Sequence, residues 1–253
     1  MPAADLLLEA RNNLRSQACC DARGYDHGDG WGIGWYERPM LEPHVVRSPA
    51  DARTDQAFEA AARQVAAPIW FAHVRNASVG LRIAENCHPF AYGPWLFAHN
   101  GTVTNFEQVG PTLERQIDPA LLAHRRGTTD SELVFFLLLE HLRRTGAALD
   151  APVGDPARMA TIMGDVLRQL ARLTEGHRYE GEPAKFNFLL SDGVALVASR
   201  WKHDLHWRAE DEQVTIASEP IGDDSAESTP WREVPDGDML TVDEHCRCVL
   251  HPV

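Results

Sequence analysis

The stretch FNFLLSDGVALVASRW, residues 186–201, sets two apolar runs on either side of Ser191-Asp192-Gly193. Asp-Gly between alternating runs is a strong hairpin signal, because a type I′ turn needs positive φ at both central residues. A hairpin here makes the sheet antiparallel, and that decides the fold class. Further strands are expected at WGIGWY (31–36), PIWFAHVR (68–75), WLFAHN (95–100), VTIASE (214–219), MLTV (239–242) and CRCVL (246–250). Helices are expected at 54–67, 130–144 and 156–173. The last has Asp155 as N-cap, Pro156 in its first turn, and Met159, Ile162, Met163, Val166, Leu167, Leu170 and Leu173 on one face. Helices do not alternate with strands, so the pattern is α+β rather than doubly wound. Segments 146–155, 175–185 and 221–230 read as loops.

Composition bounds the function. The 253 residues are 44% hydrophobic, enough to bury one large core, and a single domain over 1–253 is the expectation. Asp plus Glu number 37 against 24 Lys plus Arg, a net charge of −13 that argues against nucleic acid or an anionic membrane as partner. No apolar run reaches the roughly 18–20 residues of a membrane span, and the N-terminus has no signal-peptide pattern, so a cytoplasmic location is expected. Five cysteines, Cys19, Cys20, Cys87, Cys246 and Cys248, are an odd number without CxxC spacing. They suggest neither a disulfide framework nor structural zinc.

Polar residues then cluster where apolar strands end: HGDGWG (27–32), FAHVRNAS (71–78), NCHPF (86–90) and FAHNG (97–101), with GTTDSE (127–132) opening an apolar helix. Each has a plain structural reading. His73 and His99 could be satisfied core histidines, Arg75 a structural ion pair, Asp29-Gly30 a bend, Gly101 a turn residue, and Asp130 a helix-start carboxylate with Thr128 or Thr129 as cap. A metal cluster of His73, Cys87, His88 and His99 is a competing reading. Taken together, one arginine, one aspartate and an Asn-Gly donor pair can hold a small zwitterion and stabilise an oxyanion.

In order and spacing, HGDGWGIGWY, FAHVRNAS, NCHPF, FAHNGTV and TDSE resemble the class II glutamine amidotransferase domain. The likeness is greatest to its small stand-alone branch, which includes γ-glutamyl hydrolases of ergothioneine synthesis. It is strong over about residues 5–144 and looser over FNFLLSDGVALVASRW and IASEP. The resemblance implies an αββα sandwich of the N-terminal-nucleophile hydrolase type, with no metal and no cofactor. It assigns Arg75 to the substrate α-carboxylate, with Asn76 and Ser78 beside it, and Asp130 to the α-ammonium group. The Asn100 side-chain amide and the Gly101 N–H would form the oxyanion hole, with His73, His88 and Asp29 holding the pocket. The implied substrate is a small molecule, glutamine or a γ-glutamyl conjugate, and a separate polypeptide would accept ammonia if ammonia is passed on.

The departure lies at the start. The family's nucleophile is a cysteine exposed as residue one on the first strand, whereas here Pro2 follows Met1 and the pattern is entered at DLLLEARNNLRSQ. The first strand is therefore expected to be absent from residues 1–253. Either the natural start lies upstream at a Met-Cys, or the nucleophile is lost and the pocket kept. Three functions follow: a γ-glutamyl amidohydrolase, a catalytically inactive relative that binds an amino-acid-like ligand or a protein partner, and an unrelated α+β protein. The chain as written is expected to be inactive.

Overall fold

The computed structural model describes residues 3–210, 212–222 and 229–253. Its strands are β1 (Trp31–Trp35), β2 (His44–Ser48), β3 (Trp70–Val74), β4 (Phe90–Tyr92), β5 (Trp95–Thr102), β6 (Lys185–Ser191), β7 (Leu196–Ser199), β8 (His206–Glu210), β9 (Gln213–Ala217), β10 (Arg232–Glu233), β11 (Asp238–Val242) and β12 (Cys248–Pro252). The helices are α1 (Leu14–Gln17), α2 (Gln56–Gln64), α3 (Phe106–Glu114), α4 (Pro119–Leu122), α5 (Asp130–Arg144) and α6 (Pro156–Leu173), preceded by a π-helical turn at Asp5–Glu9.

A six-stranded antiparallel sheet, in the order β12-β11-β7-β6-β5-β4, carries helices on one face and two three-stranded sheets on the other. Side-chain alternation along β5 explains the layering. Trp95 and Phe97 point to the core under α3–α6, whereas Leu96 and Ala98 point to Phe71 of β3 and to Tyr36, which directly follows β1. Ala198, Leu240 and Val242 cover Trp207 of β8 and Val234, which directly follows β10, in the same way. The π-helical turn and α2 close the outer side of β1 and β3 through Leu7, Leu8, Phe58 and Ala62. This is an αββα arrangement.

β1 shows how the layers come close. Trp31, Ile33 and Trp35 face the outer helices, while Gly32 and Gly34 face the six-stranded sheet, where a Cβ on Gly32 would lie 2.1 Å from the His88 carbonyl. Glycine at alternate positions is what lets the sheets approach.

Helices α5 and α6 have the expected bounds. Thr129 caps α5 by accepting from the Glu132 N–H, and Asp155 caps α6 by accepting from those of Ala157 and Arg158. Leu133 to Leu139 are buried without a break because α5 lies between the sheet and its neighbouring helices, with the Phe135 ring stacked 5.4 Å from that of Phe97. Each such side chain contributes roughly 2 kcal/mol of burial.

The hairpin that decided the fold class is real, but its turn is centred one residue later than expected. Asp192 pairs with Ala195 through its N–H, leaving Gly193 and Val194 in the centre, and of these Gly193 alone has positive φ (+84°). That is the pattern of a type II′ turn. The Asp192 side chain works outside the turn as well as within it. Its carboxylate accepts from the N–H groups of Val153, Gly154, Val194 and Ala195 and ties the loop before α6 to the sheet. Of the expected loop 221–230, residues 223–228 lie outside the described residues. Among the described residues no helix is long and apolar enough to cross a membrane.

Candidate functional site

Strand β5 does not stop at Asn100. It runs through Gly101 to Thr102, paired throughout with β6, and Asn100 stands opposite Asn187. Gly101 is therefore no turn residue. Its φ is +151°, and a Cβ there would meet the Lys185 carbonyl oxygen at 2.1 Å and His99 Nε2 at 2.8 Å. Glycine is required for this backbone path. The Asn100 side-chain amide has no hydrogen-bond partner among the described residues and borders a cavity of about 1370 Å³.

Arg75, Asn76, Ser78, Gly101, Asp130, His73 and His88 border the same cavity; Asp29 does not. Three neighbouring elements place them. β3 leads directly into Arg75, whose N–H donates to Gly30 just before β1, and Asp29 donates its own N–H back to the Arg75 carbonyl. β5 brings Asn100 and Gly101, and α5 begins at Asp130.

The charged groups are not idle. Arg75 is buried, and its guanidinium donates to the carbonyls of Val79 (2.8 Å), Gly80 (3.4 Å) and Leu81 (3.2 Å), so that loop 76–83 curls around it. Burial lowers its pKa, opposed by Cys87, Asp29 and Asp130, and a guanidinium stays charged regardless. Asp29 fixes the loop at two points, accepting from the Ala77 N–H at 2.7 Å and pairing with Arg82. Ser78 accepts from Thr102 Oγ1 at 3.0 Å and so ties the loop to β5. Asp130 is buried. Its Oδ2 accepts from the Val103 N–H at 2.7 Å and its Oδ1 from the Ser131 N–H at 2.8 Å, fastening the end of β5 to the start of α5.

The histidines beneath are neutral. His99 Nε2 lies 2.9 Å from the Lys185 carbonyl, which only accepts, so Nε2 carries a proton, while Nδ1 lies 2.9 Å from Ser131 Oγ, which in turn reaches Asp130 Oδ1 at 3.2 Å. Burial lowers His99 although Asp130 opposes the shift. Burial, then the nearby His27 and His99, push His73 down to about 3, and burial with His73 puts His88 well below its ordinary value. The His73 and His88 rings lie 4.3 Å apart, and both His88 nitrogens are buried without a partner. Among the described residues no group of three or more His, Cys, Asp or Glu is arranged to hold a metal; Cys87 Sγ engages the Ser48 and Ile83 carbonyls instead.

Three contributors escaped the sequence reading: Ser131, which links His99 Nδ1 to Asp130, Thr102 as the Ser78 donor, and Asn187. The Asn187 side chain accepts from the Trp201 N–H and donates to the carbonyls of His203 and Asp204, bracing the strand opposite Asn100. An asparagine inside the apolar run FNFLL was the signal that could have found it.

None of the five cysteines stands at the donor pair. Cys87 is fully buried and burial raises its pKa; Cys19 and Cys20 are exposed. Cys246 borders the cavity, but beside Glu212 at the start of β9, where its Sγ meets the Glu212 carbonyl at 3.0 Å.

Residues 9–209 match the family model described as glutamine amidotransferases class-II. The probable glutamine amidotransferase DUG3 of Saccharomyces cerevisiae is 29% identical over 270 residues, covering 92% of this chain and 74% of the relative. The γ-glutamyl-hercynylcysteine sulfoxide hydrolase of Mycobacterium tuberculosis is 29% identical over 244 residues, covering 94% and 87%. A glutamine aminotransferase class-II domain protein from Silicibacter pomeroyi superposes with a TM-score of 0.65 at 25% identity, covering 88% of this chain and 91% of that one.

Proposed function

The chain belongs to the class II glutamine amidotransferases, and on that premise we propose that its cavity binds a γ-glutamyl amide, either glutamine or a larger conjugate, for hydrolysis at the side-chain amide. The observation that carries the reading is the opening of Arg75, Asn100, Gly101 and Asp130 onto one cavity. Arg75 takes the α-carboxylate and Asp130 the α-ammonium, so that opposite charges read the amino-acid head. The reacting carbonyl then lies at Asn100 and Gly101.

The chemistry needs a thiol with a free α-amine beside it. The thiolate attacks the carbonyl carbon, and the displaced electron pair rests on an oxyanion held by the Asn100 side-chain amide and the Gly101 N–H. Collapse breaks the C–N bond, and the leaving nitrogen takes the proton that the thiol gave up through the amine. Water then cleaves the thioester, releasing the free carboxylate and restoring the thiol. If the released ammonia is used further, a separate polypeptide receives it.

None of Cys19, Cys20, Cys87, Cys246 and Cys248 meets the nucleophile's requirement, so residues 1–253 alone are expected to release no glutamate from glutamine above background. The same placement of cysteines favours the second reading, a pocket that binds an amino-acid-like ligand without turning it over. A form carrying an amino-terminal cysteine on an added strand decides between them. Hydrolysis that is lost on changing this cysteine to alanine supports the enzyme, and binding without hydrolysis supports the second reading. Glutamate release by residues 1–253 alone would overturn the assigned chemistry, since another nucleophile would be at work.

A further inference from the structure

Strand edges occur in two settings in this molecule. β3 and β9 are edges of the three-stranded sheets and border the cavity, whereas β12 ends the six-stranded sheet and borders no part of that cavity. An open edge invites pairing with another chain, and proteins blunt it with charge or proline. From Cys248 to Leu250, β12 carries neither.

The side chains of β12 are apolar on both of its faces. Residues opposite one another in an antiparallel pair share a face. Leu250 stands opposite Leu240 and Cys248 opposite Val242, on the side of the sheet β10-β8-β9; Val249 stands opposite Thr241, on the side of the helices. Val249 is nevertheless 52% exposed and Leu250 42%. Apolar residues at consecutive positions are the pattern of a strand covered on both faces, not of one left in solvent.

The outer backbone can be read residue by residue. Val253 donates its N–H to the Gly237 carbonyl, and Asp243 donates to that of Arg247. Antiparallel pairs alternate, so residues 247, 249, 251 and 253 spend their backbone groups on β11. Those of Cys248 and Leu250 point outward and have no partner among the described residues. Pro252 offers a carbonyl alone on that side.

This edge is complementary to itself. When two β12 strands lie antiparallel with Val249 on a two-fold axis, Cys248 of each copy stands opposite Leu250 of the other. Both such pairs exchange two N–H···O bonds, so every outward donor and acceptor at 248 and 250 is used. Pro252 then falls opposite Cys246, whose N–H is already given to Asp243, and its missing donor is not needed. Val249 meets Val249 on the helix side, and Leu250 meets Cys248 on the other.

Charge favours the same pairing. With a net charge of −13, two copies repel unless they meet where carboxylates are absent. β12 has none, and the exposed Arg247 directly precedes it. Antiparallel pairing carries Arg247 to the end of the copy's sheet where Asp236 and Asp238 stand, Asp238 being the neighbour of Pro252.

We propose that β12 is a self-association edge, through which two copies of this chain pair antiparallel about Val249 and join their six-stranded sheets into one. The turn from β11 to β12 borders the cavity through Asp243, Glu244, His245 and Cys246. The contact therefore begins at the outer wall of the cavity and leaves β3 and β9 open.

Sedimentation velocity of the 253-residue chain from about 1 to 300 µM should show a monomer–dimer equilibrium with a midpoint of roughly 10–100 µM, in keeping with a small interface. Hydrogen exchange at the amides of Cys248 and Leu250 should slow as concentration rises, whereas that of Val249, bonded within the chain, should not change. Leu250→Lys sets a charge against the copy and should raise the midpoint about tenfold or more at an unchanged melting temperature. Val249→Lys, on the axis, should do the same. A chain that stays monomeric throughout overturns the inference. So does a dimer whose midpoint neither lysine variant moves, because its interface then lies elsewhere, such as the open edges of β3 and β9. Protection of the Cys248 and Leu250 amides that is independent of concentration also overturns it, since the chain itself then covers the edge.

Discussion

At Gly101 the requirement for glycine is twofold, the left-handed φ of +151° and the Lys185 carbonyl that a Cβ would strike at 2.1 Å. Gly101→Ala is expected to destabilise the protein by about 2–3 kcal/mol, read by urea unfolding. Asn100 carries no such constraint. In a form with an amino-terminal cysteine, Asn100→Ala should leave the melting temperature unchanged and lower kcat on the order of a hundredfold. Arg75 separates binding from fold in another way, since its guanidinium already holds the carbonyls of residues 79–81. Glutamate or glutamine should bind in the high micromolar to millimolar range, and Arg75→Ala should abolish that binding. Equal affinity for wild type and variant by calorimetry rejects the role. The sequence made these three residues visible because a charge, an amide and a glycine at a strand end fit poorly in a plain core. It did not show Arg75 wrapped by its own loop, because carbonyl positions follow from backbone path and not from residue type.

Among the elements, the helices with clean caps were the most legible. Asp155 followed by Pro156 and a single apolar face placed α6 at its observed bounds, and Asp155→Ala should cost about 1 kcal/mol in thermal unfolding without touching ligand affinity. α3 was not legible, since Gly110 and Pro111 lie inside it and both argue against a helix. It persists because Val109 and Leu113 pack into the core beneath α5, so tertiary burial overrides propensity. β2 and β8 were missed for a related reason. His44 to Ser48 is only half-buried and has no strict alternation, and β8 carries Arg208 in its middle, which is kept there by Glu210 and the Trp231 ring. The central strands were read correctly, because long apolar runs between turn signals leave little choice.

For the whole molecule, the class of fold followed from one hairpin, whereas the division of the second layer into two sheets did not, because nothing local in β3 or β9 says which strand lies beside it. Half-buried His73 and His203, both on the cavity wall, give the molecule a pH limit. His73 is held at about 3 and His203 at about 4, both lowered first by burial, against an unfolded value near ~6.5. The unfolded chain therefore binds more protons below pH ~6.5, so stability is complete above that value and is lost as the pH falls toward the folded values. Melting temperature should be flat from pH 7 to 8 and fall steadily from pH 6 to 4, and a His203→Gln variant should fall less steeply. β3 also supplies an optical signal of its own. Among the described residues Trp70 is the one tryptophan of seven that borders the cavity. Whatever settles along that edge must change the polarity around one indole and leave the other six as a constant background. Emission excited at the tryptophan band is thus a label-free titration of the edge, and Trp70→Phe should silence it.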